Sequence, residues 1–205
     1  YDGTLTAMAP TPGLAAPDRS LLSLLRTLAL QPATEVHVVS GRDRATLDTW
    51  LGALPVGLHA EHGLWSRLAA GAEWVRAAAP ATLPREGDVL NLLEDATRRV
   101  PGSMIERKGT GLAWHYRLAD QRAAADTVRG LRGALARLLE GEDAEVMAGH
   151  RVLEVRVSGV NKGTAILPVV SDLPASTVVI AIGDDRTDEQ LFAAAPPDAL
   201  TIHVG

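Results

Sequence analysis

The sequence predicts an α/β fold: a doubly wound, Rossmann-like parallel core interrupted by an inserted α+β module. Three observations carry that prediction. The unbroken apolar, mostly β-branched run over 178–182, ending at Gly183, suits a strand buried on both faces, as in a parallel sheet covered by helices. Residues 36–39 and 56–60 read as further strands and alternate with helical patterns, which is the signature of strand-helix-strand layering. Between 81 and 158 the pattern changes to helix, strand, strand, helix, strand, strand.

In chain order, Leu21, Leu22, Leu25 and Leu28 form the apolar stripe of a first helix. Leu47, Trp50 and Leu51 form a second, which Gly52 closes. The core is interrupted after Ala77-Ala78-Ala79-Pro80. The first inserted helix carries Val89, Leu92, Leu93 and Val100, and Pro101-Gly102 stops it. Strands are expected over 104–108 and 112–118, then a helix with Val128, Leu131, Leu135 and Leu138. Gly149-His150 reads as the turn of a closing hairpin, and Ser158-Gly159 as the return to the core. A helix over 162–170 presents Ala165, Ile166 and Val169 on one face, and 201–205 reads as a last strand. The expected domains are a core of 1–80 with 159–205 and an insert of 81–158.

Strand alternation gives the insert two unlike faces. Leu112, Trp114, Tyr116 and Leu118 fall on one, with Leu153, Val155 and Val157 likewise together; His115, Arg117, Glu106, Lys108, Glu154 and Arg156 fall on the other. Such a polar face is either a solvated surface or the roof of a site for a hydroxyl-rich ligand.

Composition narrows the function classes. A net charge of −5 leaves no basic footprint for nucleic acid. No apolar run approaches the roughly 18 residues of a membrane span, and no basic-then-apolar leader opens the chain, so no membrane partner is expected and a cytoplasmic setting is the default. With no cysteine, disulfides and thiol catalysis are excluded.

Four short segments follow or begin elements of the core: Tyr1-Asp2-Gly3-Thr4-Leu5-Thr6, Val39-Ser40-Gly41-Arg42, Val160-Asn161-Lys162-Gly163, and the acidic run from Gly183 to Glu189. In doubly wound sheets ligands bind outside the carboxyl ends of the strands, where these segments converge. Singly, each has a plain reading: a turn, a helix lead-in, a solvated lysine, an N-capping aspartate. Four acidic side chains within six residues, however, repel one another unless a cation offsets them, and crowded oxygen donors suit Mg²⁺.

Together and in this order, the segments resemble the motifs of the haloacid-dehalogenase-like phosphatase superfamily, and within it those of trehalose-6-phosphate phosphatases. Ser40-Gly41-Arg42, Ala60-Glu61-His62-Gly63, Glu106-Arg107-Lys108, His115-Tyr116-Arg117 and Val152-Leu153-Glu154-Val155-Arg156 carry the narrower likeness. The resemblance implies a Mg²⁺-dependent hydrolysis of a sugar phosphate through an aspartyl-phosphate. It implies Asp2 as general acid and base, Ser40 holding a phosphate oxygen, and Lys162 balancing charge. Asp184 and then Asp188, with the Asp2 backbone carbonyl, are the implied metal ligands. Asp185 and Thr187 would support the acidic loop. The insert would act as a cap, reading the sugar through Glu106, Lys108, His115, Arg117 and Glu154, with Gly41, Arg42, Glu61 and His62 contributing from the core. His59 and His62, three apart, fall on opposite faces of a short segment and are not read as a metal pair.

The superfamily motif opens Asp-x-Asp-Gly-Thr, so the nucleophilic aspartate is expected directly before Tyr1, on a central strand ahead of Gly3. The expectation is therefore a piece of a longer protein, with fusion to or association with a trehalose-phosphate synthase as one arrangement. The alternatives are a capped phosphatase for sucrose phosphate or a mannosyl phosphoglycerate, a catalytically inactive sugar-phosphate-binding domain, and a response-regulator receiver. The last fits worst, because here the acidic pair follows the lysine.

Overall fold

The computed structural model describes residues 1–9, 12–78, 82–149 and 151–205. The expected break at Ala79-Pro80 and the His150 half of the hairpin turn lie outside the described residues. The chain divides into two compact units, Tyr1–Ala77 with Val160–Gly205, and Ala78–Gly159.

In the first unit, helix α1 (Arg19–Ala29) starts where Asp18 accepts a hydrogen bond from the Leu21 amide, and α2 (Arg44–Leu51) starts where Asp43 accepts one from Thr46. These helices bury Leu25, Leu47 and Leu51 with Val38 and Leu58 of the short parallel strands β1 (His37–Val39) and β2 (Gly57–Ala60). Two antiparallel strands extend this sheet, β3 (Trp65–Arg67) and β4 (Val75–Arg76), giving the order β1-β2-β3-β4. The sequence showed neither, because Trp, Ser and Arg followed by the alanine-rich stretch of 68–74 have no clear period.

The second unit is an α+β layer. Helices α3 (Glu86–Arg99) and α4 (Gln121–Leu138) pack on a four-stranded antiparallel sheet of order β5-β6-β8-β7. Its strands are β5 (Met104–Lys108), β6 (Gly111–His115), β7 (Ala144–Gly149) and β8 (Val152–Val157). Val89 and Leu93 of α3, Leu131 and Leu135 of α4, and Leu112, Trp114, Leu153 and Val155 of the sheet form one core. Fully buried Trp114 keeps its indole N–H satisfied by donating to the Thr97 hydroxyl, as a buried donor must.

Strand β6 ends at His115, three residues earlier than the alternation suggested. Leu118 is therefore exposed rather than on the apolar face, and Arg117 sits in the turn that follows.

Back in the first unit, α5 (Lys162–Val170) begins at a capping box. Asn161 accepts from the Thr164 amide, and the Thr164 hydroxyl accepts from the Asn161 amide. Strand β9 (Ile180–Gly183) pairs in parallel with β10 (Leu200–His203), and α6 (Asp188–Ala194) lies between them in sequence. The expectation of a strand buried on both faces fails here. Among the described residues β9 has one strand neighbour; Ala181 and Gly183 are buried, whereas Ile180 and Ile182 are exposed, as are Val178, which precedes the strand, and Leu200 and Ile202 of β10.

Candidate active site

The predicted motifs start one residue after their strands end: Ser40 after β1, Glu61 after β2, Asp184 after β9. Local folding explains how each side chain is aimed. Residues 1–6 close a tight loop in which the Leu5 amide donates to the Tyr1 carbonyl at 2.8 Å and the Gly3 amide to the Thr6 carbonyl at 2.8 Å. Gly3 has φ of 81°, and a Cβ there would stand 1.8 Å from Asp184 Oδ2. Only glycine lets the backbone of this loop meet the Asp184 carboxylate so closely. The Thr4 hydroxyl completes the junction by donating to Asp184 Oδ1 at 2.7 Å.

Asp2 is held by Arg42. The guanidinium donates through Nε to Oδ2 at 2.9 Å and through Nη2 to Oδ1 at 2.5 Å, a two-pronged pair in which both carboxylate oxygens are engaged. The Arg42 plane also lies over Trp50, 4.6 Å from the ring centroid. The sequence placed Arg42 among the substrate contacts; the structure directs it to Asp2. The two residues are 40 apart in the chain, so no local pattern announces the pair.

Ser40 is buried, its amide donates to the His59 carbonyl at 2.9 Å, and its Oγ accepts from the Arg42 amide at 3.2 Å. The neighbouring segment Glu61-His62-Gly63 has positive φ throughout, at 51°, 57° and 106°. Such a run costs on the order of 1 kcal/mol or more per non-glycine residue. It is fixed from the Ser40 loop, because the Glu61 amide donates to the Arg42 carbonyl and the His62 amide to the Ser40 carbonyl, each at 2.9 Å. His62 Nε2 lies where a Cβ on Gly41 would be, at 2.6 Å. Ser40, Gly41, Arg42, Glu61 and His62 thus form one structure.

Lys162, the first residue of α5, is buried and donates to Asp188 Oδ1 at 2.8 Å and to Asp185 Oδ1 at 3.4 Å. Asp188 Oδ2 accepts from the amides of Asp184 and Asp185 at 3.1 and 3.2 Å. Both Asp188 oxygens are therefore occupied, and the aspartate serves as the brace of the acidic loop. Gly183 allows this, since a Cβ there would stand 2.3 Å from Asp188 Cγ. Burial pushes the Asp185 carboxyl up, but Lys162 and the hydrogen bonds from Thr187 outweigh it and hold the group down to about 2. As expected, Asp185 and Thr187 support the loop: the Thr187 amide and hydroxyl donate to Asp185 Oδ1 at 2.9 and 2.6 Å. The backbone nitrogen of Tyr1 is also buried, within electrostatic reach of Lys162, Asp188, Asp2 and Asp184.

The donor set suits a hard cation of the magnesium type. Asp184 presents its carboxylate against the loop that carries Asp2, with the Thr4 hydroxyl upon it, so the groups meeting there are oxygen donors. Among the described residues no three His, Asp or Glu groups form a ready-made cage. Mg²⁺ does not require one, because it takes one or two carboxylates and completes its octahedron with water and phosphate oxygens.

On the sheet of the second unit, four of the five expected sugar contacts share one face. Lys108 donates to Glu154 Oε1 at 3.0 Å, and His115 Nε2 lies 2.7 Å from Glu106 Oε2. The His115 hydrogen bond, helped by Lys108 and opposed by burial, lowers the Glu106 pKa. Arg117, beyond the end of β6, is the fifth and lies outside that sheet.

Comparison with known proteins bears directly on this arrangement. The family model for trehalose-phosphatase matches residues 1–204. The chain belongs to the trehalose-phosphatase family. Among its relatives, the bifunctional trehalose-6-phosphate synthase/phosphatase of Thermoproteus tenax is 45% identical over the whole chain, which covers 28% of that protein. A trehalose-phosphatase of Zygosaccharomyces rouxii is 36% identical over 94% of the chain and 24% of its own length. The C-terminal domain of a Candida albicans trehalose-6-phosphate phosphatase superposes with a TM-score of 0.87 at 35% identity, covering 95% of this chain and 70% of that one. The chain thus spans about a quarter of the curated relatives it matches.

Proposed function

We propose that the protein hydrolyses trehalose 6-phosphate to trehalose and phosphate. One observation carries the reading: hydrogen bonds join the Asp2 loop to the Ser40 loop and to Asp184, and Asp188 joins Asp184 to Lys162, in a family whose named members include trehalose-phosphatases. The nucleophile is an aspartate directly before Tyr1 in the complete protein, joined to the Tyr1 nitrogen that lies within electrostatic reach of Lys162. It attacks phosphorus in line, and the phosphorus–oxygen bond to the sugar breaks.

Asp2 gives its proton to the departing sugar oxygen and later takes one from the water that cleaves the acyl phosphate. For the first role Arg42 must release at least one Asp2 oxygen, which makes Arg42 a residue that exchanges Asp2 for the substrate phosphate. Ser40 and the amides beside it bind phosphate oxygens, while Lys162, already fixed by Asp188, offsets their charge. Asp184 and the Asp2 carbonyl would hold Mg²⁺, with Asp188 bracing the loop behind them; when bound, the ion neutralises charge on the phosphate. Glu106, Lys108, His115 and Glu154 read the sugar hydroxyls, exchanging ion pairs for hydrogen bonds; Glu61 and His62 add contacts, and Arg117 an outlying one. The complete protein carries or associates with a synthase that makes the sugar phosphate, which the intact mass and co-purifying activity would reveal.

The test is phosphate release by the complete protein from trehalose 6-phosphate, sucrose phosphate and a mannosyl phosphoglycerate, with Mg²⁺ and with chelator. The expected result is Mg²⁺-dependent turnover with the highest kcat/KM on trehalose 6-phosphate. A better substrate elsewhere in the panel would overturn the substrate; no turnover would overturn the activity.

A further inference from the structure

A row of polar side chains crosses the sheet of the first unit beneath the site and takes no part in the chemistry above. Glu35 Oε2 lies 3.6 Å from His37 Nε2, His37 Nδ1 lies 3.1 Å from His59 Nε2, and His59 Nδ1 lies 2.9 Å from Ser66 Oγ. The row runs from an exposed carboxylate to a ring with no exposed surface. It is built rather than incidental. His37 pairs in register with Gly57, where a Cβ would stand 2.1 Å from His37 Nδ1, so glycine makes room for the ring. His59 pairs in register with both Val39 and Ser66, which ties three strands together.

Two facing imidazole nitrogens form a hydrogen bond only when one carries a proton and the other a lone pair. With Glu35 ionised, the consistent arrangement has His37 Nε2 protonated towards Glu35 and His59 Nε2 donating to His37 Nδ1. The Ser66 hydroxyl then donates to His59 Nδ1. One added proton can enter at His59 Nδ1 by turning the Ser66 hydroxyl round, but it places a charge in the sheet. A second sets two N–H groups against each other at 3.1 Å.

Counter-charges on this side of the sheet are few. Helix α5, packed here through Ala165 against Gly63, has Lys162 as its single titratable side chain, and Lys162 is committed to Asp188 and Asp185. Of α6, Asp188 is taken by that pair and Glu189 is exposed. Arg67 and Arg76 alternate to the opposite face from Ser66, where Arg67 meets Asp48. Beyond β2, His62 lies against Gly41. Among the described residues, Glu35 is the charged group that meets the row.

We propose that His37, His59 and Ser66 form an acid-sensitive joint that holds β1 to β2 only while the two rings share a single hydrogen-bonding proton. Because the His59 carbonyl accepts the Ser40 amide, opening the joint also loosens the Ser40 loop. That consequence rests on the functional reading above; the joint itself does not. Burial, with His37 adding to it, holds His59 down to about 4, and burial also lowers His37 against the pull of Glu35. Both folded-state values lie below the unfolded value near 6.5, so the unfolded chain binds more protons in between. The joint's contribution is complete above about pH 6.5 and is lost as the pH falls towards 4.

The experiment is thermal unfolding of the complete protein between about pH 7 and pH 5, for wild type, His59→Gln and His37→Gln, with ¹⁵N spectra of the wild-type imidazoles. Gln can donate and accept but does not titrate. The wild type is expected to lose roughly 5 °C more than His59→Gln over this interval, with His37→Gln intermediate. The spectra are expected to show a neutral His59 ring at about pH 5.5, protonated on Nε2. Equal pH slopes in wild type and variants, or a His59 ring titrating near its ordinary value, would overturn the proposal. If a variant does not fold, the wild-type spectra still decide. Neither readout needs substrate, so an inactive protein would leave the joint testable.

Discussion

The two units handle charge in opposite ways. In the first, the charged groups are held by backbone and by buried partners: Asp188 takes two amides and Lys162, and the Lys162 and Asp188 side chains are 7% and 5% exposed. In the second, Glu106 meets His115 on the neighbouring strand, a pair 49% and 36% exposed, and Lys108 reaches across β6 to Glu154 on β8. The first arrangement is fixed before any ligand arrives, which is what transition-state stabilisation requires. The second can trade partners, which is what recognition of hydroxyl groups requires. In the proposed function, the chemistry falls to the first unit and most of the sugar recognition to the second.

The most severe way to break this division is to remove the proton carrier. Asp2→Asn is expected to lower kcat by about three orders of magnitude on every phosphomonoester, with the unfolding temperature little changed; single-turnover phosphate release checks it. Next comes the buried pair. Lys162→Met leaves Asp188 charged and uncompensated, at a cost of about 3–5 kcal/mol in stability, read by denaturant unfolding. Gly183→Ala, whose Cβ would meet Asp188, is expected to cost on the order of 2 kcal/mol and to lower kcat through displacement of the brace. The smallest effect is expected in the second unit. Glu106→Gln exchanges one half-exposed ion pair and is expected to change stability by less than about 1 kcal/mol while raising KM for the sugar phosphate several-fold.

Much of this was legible in the sequence, for identifiable reasons. Lys162 could be placed at a helix start because Ala165, Ile166 and Val169 follow it at helical spacing, and the capping box of Asn161 and Thr164 fixes that start in the structure. The two faces of the inserted sheet followed from strict alternation in β6 and β8, and the family from motif order. What sequence could not show were contacts between distant segments. Arg42 meets Asp2, and Thr4 meets Asp184 across 180 residues, and neither pairing leaves a local trace. The antiparallel β3 and β4 were hidden by an irregular pattern. Arg117 was misplaced because alternation continues in sequence past the point where β6 turns away. The exposure of Ile180 and Ile182 was unforeseen, because β-branched composition reports a strand's preference and not its neighbours.

The division itself is tested most directly by kcat/KM of the complete protein and its Glu154→Gln variant, on trehalose 6-phosphate and on a small aryl phosphate side by side. The expected result is a loss of about tenfold on the sugar phosphate, the worth of roughly one hydrogen bond to a charged group, and an unchanged value on the aryl phosphate. An equal loss on both substrates would contradict it.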